Sequence, residues 1–145
     1  MTDIAWLIDD TPPRPIVVDD ETRIDAPDIR GAITAAELTP ELWLFLSEVD
    51  VLAPCAIEPY GELPGEWIDI HYLARGEALF ETTDGHRGRL DTRNGLVFRL
   101  SERRGRFHLP VATAVRSVGV AVSVGRLAAL LGDETPAALA PLLAP

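Results

Sequence analysis

The rhythm of apolar and polar positions changes at Gly31. Downstream of it the chain runs in apolar stretches of about 5 to 10 residues broken by turn signals at near-regular intervals, the spacing of an all-β sandwich or barrel. Nine strands are predicted, over residues 32–38, 42–51, 56–60, 67–74, 78–83, 87–91, 96–101, 106–109 and 113–124. The breaks hold Pro54, Gly61, Pro64-Gly65, Gly76, Asp84-Gly85, Asn94-Gly95 and Gly105. Asp84-Gly85 and Asn94-Gly95 accept the positive φ angles of two-residue type I′ turns, so both are predicted to close hairpins. Within 67–74, Trp67, Asp69, His71 and Leu73 share one face, and Ile68, Ile70, Tyr72 and Ala74 the other. Val118, Val120, Val122 and Val124 alternate with Gly119, Ala121 and Ser123, which predicts a strand with one face inward.

After Gly125 the period becomes helical. Leu127, Leu130 and Leu131 share a side, and Gly132 is a natural stop. Thr135-Pro136 reads as an N-cap with proline in the first turn, which predicts a second short helix over 137–144 carrying Leu139, Leu142 and Leu143. Pro141 weakens or kinks it. Upstream, residues 9–30 carry four prolines and many acids, so they read as an arm with one short edge strand at Ile16, Val17 and Val18. The predicted organisation is an acidic, proline-rich arm over 1–30, a β-barrel over 31–124 and a helical segment over 125–145.

Composition narrows the class. The 145 residues are 47% hydrophobic and 25% charged, which fits one globular domain and excludes both a disordered tail and a disulfide scaffold. Such a chain buries roughly 68–70% of its unfolded surface, enough to fold without cross-links. Cys55 is the only cysteine, so no internal disulfide and no thiolate zinc cluster can form. No stretch approaches the ~20 apolar residues of a membrane helix, and MTDIAWLIDD lacks the pattern of a secretory signal, so the cytosol is the expected compartment and no membrane partner is expected.

The net charge is −10. Residues 1–84 hold 19 acidic and 4 basic side chains, and residues 85–145 hold 4 and 9, giving −15 and +5. The acidic first half repels phosphate and argues against autonomous DNA binding. Every basic residue is an arginine, a skew attributed to genomic base composition. The seven arginines from Arg87 to Arg106 are read as partners of acidic strands rather than as an anion site.

Candidate chemistry is sparse. His71, His86 and His108 are isolated, and a facial triad of His71, Glu77 and His108 can be drawn without any spacing that compels it, so neither metal nor cofactor is expected. Ser47, Ser101, Ser117 and Ser123 lie in no nucleophile elbow, Cys55 has no neighbouring histidine, and phosphate-cradling glycine motifs are missing. What remains is aromatic: Trp43 with Phe45, Trp67 with His71 and Tyr72, Phe80, Phe98, and Arg106-Phe107-His108. Such residues line small-molecule pockets in barrel mouths, and they also fill cores. The ligand-binding candidates are Trp43, Trp67, His71, Tyr72, Arg106 and His108, with the restriction that strand alternation keeps Tyr72 off the face of Trp67 and His71.

The order of elements resembles the effector-sensing N-terminal domain of AraC-type transcription regulators, particularly siderophore-responsive members. The resemblance spans GAITAAELTPELWLFLSEVDV, EWIDIHYLARGEALFETTDGHRGRL, NGLVFRLSERRGRFHLP and VATAVRSVGVAVSVGRLAALLGDETPAALAPLLA. It implies a double-stranded β-helix (cupin-like) barrel followed by one or two short helices, an arm near the barrel mouth and an internal pocket. The expected guest is a small-molecule effector: a sugar, an aromatic acid or a siderophore-like chelate. Dimer contact is expected through the C-terminal helices, with Leu127, Leu130, Leu131, Leu139, Leu142 and Leu143 as candidates, and a homodimer as the assembly. DNA would be reached only through a helix-turn-helix part outside this sequence. The expected role is a non-catalytic regulatory domain, and its rival is a small cupin enzyme, metal-dependent or not.

Overall fold

A computed structural model describes residues 4–8, 14–15, 20–61, 66–82, 85–99 and 105–143. The strands are β1 (Ile4–Ile8), β2 (Arg14–Pro15), β3 (Asp20–Ala26), β4 (Ile29–Thr39), β5 (Leu42–Val51), β6 (Cys55–Gly61), β7 (Trp67–Arg75), β8 (Ala78–Thr82), β9 (Arg87–Leu90), β10 (Gly95–Arg99), β11 (Gly105–Leu109) and β12 (Ala114–Ser123), followed by helices α1 (Val124–Leu131) and α2 (Ala140–Leu143). All nine predicted strands form, most within one or two residues of their expected ends and the first three residues longer at its start.

Two six-stranded sheets result, in the orders β10-β7-β12-β5-β4-β3 and β2-β1-β6-β11-β8-β9. Their pairings are nested. β5 pairs with β12, β6 with β11, β7 with β10 and β8 with β9, all antiparallel. Additional β12–β7 and β11–β8 pairs join these within each sheet, and β4 with β3, and β1 with β2, extend the sheets beyond β5 and β6. One long hairpin, folded so that its halves pair throughout and then wound across two sheets, has this pattern, so the barrel is a double-stranded β-helix.

Much of the predicted arm is sheet: β1 pairs antiparallel along β6 over all five of its residues and with β2 on its other side. β3 begins at Asp20 and pairs along β4, with Ile24 and Ala26 buried and Glu21, Arg23 and Asp25 exposed. Its acids mark the solvent face of an edge strand rather than a loop, as period-two alternation requires. The strand expected at Ile16, Val17 and Val18 falls on residues 16–19, outside the described residues.

The two glycine turns part company. Asp84-Gly85 lies in the β8–β9 hairpin, where Gly85 takes φ +89°; Thr82 N donates to His86 O at 2.8 Å, so the connection is longer than a two-residue turn. Asn94-Gly95 closes no hairpin, because β9 and β10 belong to different sheets. Residues 91–94 are instead a crossover held by side chains. Asp91 N donates to Asn94 Oδ1 at 2.8 Å, Asn94 Nδ2 donates to Arg89 O at 2.7 Å, and Arg93 N donates to Asp91 Oδ1 at 2.9 Å. The Arg93 side chain, hydrogen-bonded to Asp91, holds that carboxyl below its ordinary 3.8, and the Arg93 backbone N–H adds to this. With the folded value depressed, this contribution is complete above 3.8 and fades as pH falls through the folded value. Asn94→Ala should destabilise by about 1 kcal/mol, since both its bonds satisfy backbone groups of the crossover; urea unfolding checks it.

Helix α1 starts where the strand period ends. Ser123 is its N-cap, accepting from Arg126 N at 3.0 Å, and Gly132, at φ +58°, donates its N–H to Ala128 O. The second helix shrinks to Ala140–Leu143. Pro141 has no N–H to donate and its ring clashes with a preceding turn, so it is accommodated only at the helix start. Pro136 O accepts from Leu139 N and Ala140 N in the turn before it. Among the described residues no helix is long and apolar enough to cross a membrane.

Candidate functional site

Layers follow from the register. On the inner face of the sheet that contains β5, β12 and β7, Val49 lies opposite Val115, Ser47 opposite Ser117, Phe45 opposite Gly119, and Trp43 opposite Ala121. Across β12 the same residues meet Leu73, His71 and Asp69, with Ser117 opposite Leu73, Gly119 opposite His71 and Ala121 opposite Asp69. The far end is packed solid by Ile29, Ile33, Val49, Val51 and Val115, joined from the other sheet by Cys55, Ile57, Leu90 and Leu109. At the opposite end Trp43, Trp67 and Ala121 form a separate cluster, with Phe45 packed against it. Between these lies His71.

Beyond Val115 the small residues of β12, Ser117, Gly119 and Ala121, face inward, and Val118, Val120 and Val122 face the other way. A strand at the centre of a sheet must be small where its neighbours send rings across it. A Cβ on Gly119 would stand 3.0 Å from His71 Nδ1 and 3.2 Å from His71 Cε1, so the imidazole lies directly against this glycine. From there it reaches across the barrel to Phe107 of β11, with ring centroids 5.2 Å apart, and Phe107 meets Phe80 at 5.1 Å. Trp43 stacks on Phe45 at 6.2 Å.

Two titratable side chains of β7 project into this aromatic interior. His71 is buried, and its Nδ1 has no hydrogen-bond partner among the described residues. Asp69, two residues earlier on the same face, brings Oδ2 to 3.7 Å from that nitrogen, beyond hydrogen-bond reach. Phe45 in the layer of His71, Asp69 in the layer on its tryptophan side, and Ser47 and Ser117 in the layer on its other side all point inward yet keep accessible surface, so packing does not seal the barrel around His71. A buried polar atom without a partner costs roughly 1–3 kcal/mol, which a guest able to bond with it would relieve.

The six pocket candidates divide. Trp43, Trp67 and His71 lie inside. Tyr72 points the other way and is 48% exposed. Arg106 and His108 flank Phe107, and since Phe107 takes the inward position, both fall on the outer face of the sheet that contains β6, β11 and β8. There Arg106 lies opposite Glu81, and His108 Nε2 is 3.4 Å from Glu81 Oε2. Glu77 pairs with Arg89 on the same outer side. The drawn triad of His71, Glu77 and His108 is therefore not assembled. A catalytic metal needs about three protein ligands, and no described group of three metal-ligating side chains converges anywhere, so Asp69 and His71 alone do not fit one. Asp69 and Gly119 were missed as site residues; Asp69 alternates in phase with Trp67 and His71, a signal present in the sequence.

Among the dimer candidates, Leu127 and Leu131 are half-buried and Leu130 is 60% exposed, with no residue of α1 buried. Leu139 and Leu143 are half-buried, and the Leu142 side chain lies outside the described residues.

No family model and no curated protein matches the sequence. Solved structures do. The chain is similar to the EutQ protein of Clostridium difficile, at 15% identity and a TM-score of 0.47 over 70% of this chain and 75% of that one. It is similar to KdgF from Halomonas sp., at 15% identity and a TM-score of 0.48 over 71% and 86%. It is also similar to ectoine synthase from P. lautus, at 14% identity and a TM-score of 0.44 over 80% and 88%. The nested strand pairing carries the assignment. The fold is a double-stranded β-helix, a cupin-like barrel. In this barrel the chemistry is concentrated on β7, whose inward face presents Trp67, Asp69 and His71 to the rings of β5 and β11.

Proposed function

We propose that this cupin-like barrel is a non-catalytic, effector-binding regulatory domain of the kind found in AraC-type transcription regulators, taking a small organic molecule between Asp69, His71, Phe45, Trp43 and Phe107. The observation that supports it is the His71 Nδ1, buried inside the barrel without a hydrogen-bond partner among the described residues, on an imidazole 5.2 Å from the ring of Phe107. Aromatic walls with one or two placed polar groups are the usual make-up of a small-molecule site. Signal would pass by linkage: a guest that prefers one arrangement of barrel and C-terminal helices shifts the population toward it. The exposed leucine of α1, Leu130, is the first candidate for the dimer contact that would carry the shift.

Thermal unfolding of the protein with sugars, aromatic acids and siderophore chelates tests the reading. A guest present at a hundred times its Kd adds about 2.7 kcal/mol of stability, and the melting temperature rises accordingly. His71→Phe keeps a ring against Phe107 and removes both nitrogens, so it should abolish the rise while leaving the unliganded melting temperature within a few degrees. A stoichiometric transition metal in the purified protein, lost in His71→Phe, would instead favour the small cupin enzyme.

A further inference from the structure

We infer that the interior selects guests by charge, accepting neutral hydrogen-bond donors such as polyhydroxylated molecules and rejecting anions. This rests on the proposed interior binding site and narrows it. An acidic guest, whether an aromatic carboxylate or an anionic chelate, needs a cation to meet it. No arginine whose side chain is described points into the barrel. Arg106, the residue of the pocket candidates suited to that task, faces outward opposite Glu81. Arg99 pairs with Ile68 in the register, on the face opposite Asp69, and forms an ion pair with Glu66. Arg87, Arg89 and Arg93 are engaged with Glu81, Glu77 and Asp91 on the outside.

What the interior offers instead is a carboxylate. The Asp69 side chain retains 15% of its accessible surface, enough to touch a guest, and little enough that water screens it poorly. It is a hydrogen-bond acceptor only when ionised, and beside it on the same face of β7 stands the His71 imidazole, with the inward positions Ser47 and Ser117 one layer beyond His71. A donor-rich neutral molecule satisfies this set. A second carboxylate about 5 Å from Asp69, at the effective dielectric of a partly buried site, loses on the order of a hundredfold in affinity.

Matched pairs of the same shape read this out: galactose against galacturonate, and catechol against 2,3-dihydroxybenzoate, measured by calorimetry on the wild-type protein and on Asp69→Asn. Within whichever pair binds, the neutral member should win by on the order of a hundredfold, and in Asp69→Asn the gap should close to within a few-fold. The isosteric amide should leave the unliganded melting temperature within a few degrees, which separates a charge effect from a folding one. An acid that binds wild type as well as its neutral counterpart, or a gap that survives Asp69→Asn, overturns charge selection while leaving interior binding standing. If neither these pairs nor the wider panel bind at all, interior binding fails and charge selection goes with it.

Discussion

Gly31→Ala should lower the melting temperature by roughly 10 °C, the largest loss from any single added methyl group in the described barrel. Gly31 lies in β4 between Ile24 of β3 and Val49 of β5. A Cβ there would stand 2.0 Å from the Glu48 carbonyl oxygen and 2.7 Å from the Val49 Cα. Both are backbone atoms of a paired strand, so neither can retreat without opening the β4–β5 ladder beside the most tightly packed part of the core. The φ of +153° adds a conformation that side chains resist. Together these place the cost at about 3–5 kcal/mol, among the exceptional single substitutions. Gly88→Ala is the control: a Cβ there meets nothing within 4 Å, so it should fall within about 0.5 kcal/mol of wild type. Equal melting temperatures for the two variants would show that the β4–β5 approach is looser than the structure has it.

Local pattern carried the strands well because each alternates or runs apolar between turn residues, and β5 is found over the predicted residues 42–51. It failed where the answer depends on what a segment pairs with. Asp20–Ala26 carries only two buried apolar side chains, and becomes a strand because β4 offers it a partner. Asn94-Gly95 has the composition of a hairpin turn, yet the winding of the barrel sends β10 to β7 rather than back to β9. The same limit governs the site. Alternation correctly separated Tyr72 from Trp67 and His71, because that follows from one strand alone. It could equally have removed Arg106 and His108 once Phe107 was recognised as the inward residue, but choosing between the two faces of a five-residue strand needs the opposing Phe80 and Ile57. The inward face of β12 was ambiguous for the same reason: valines suggest a core, and only the register shows that rings from β5 and β7 already occupy the space above Gly119 and Ala121.

That crowding makes Gly119 the residue whose change should hurt binding most for the least harm to the fold. The atoms a new Cβ would meet, His71 Nδ1 at 3.0 Å, His71 Cε1 at 3.2 Å and Asp69 Oδ1 at 3.7 Å, all belong to side chains that can rotate away, unlike the backbone around Gly31. Gly119→Ala asks the imidazole to yield by a few tenths of an ångström, for a stability change within about 1 kcal/mol. Gly119→Val asks for more than the seat can give. Its methyl groups would take the volume under the imidazole and drive His71 off its contact with Phe107, at an overpacking cost of about 1–3 kcal/mol. A guest that bonds to His71 and Asp69 would lose both partners' positions at once, so affinity should fall by on the order of a hundredfold, two lost hydrogen bonds at about 1.5 kcal/mol each. Calorimetry beside thermal unfolding separates the two effects, because an unfolded variant loses its transition whereas an evicted imidazole loses only the guest. Unchanged affinity in Gly119→Val would mean that the guest never touches His71, and the binding site would have to be sought elsewhere in the barrel.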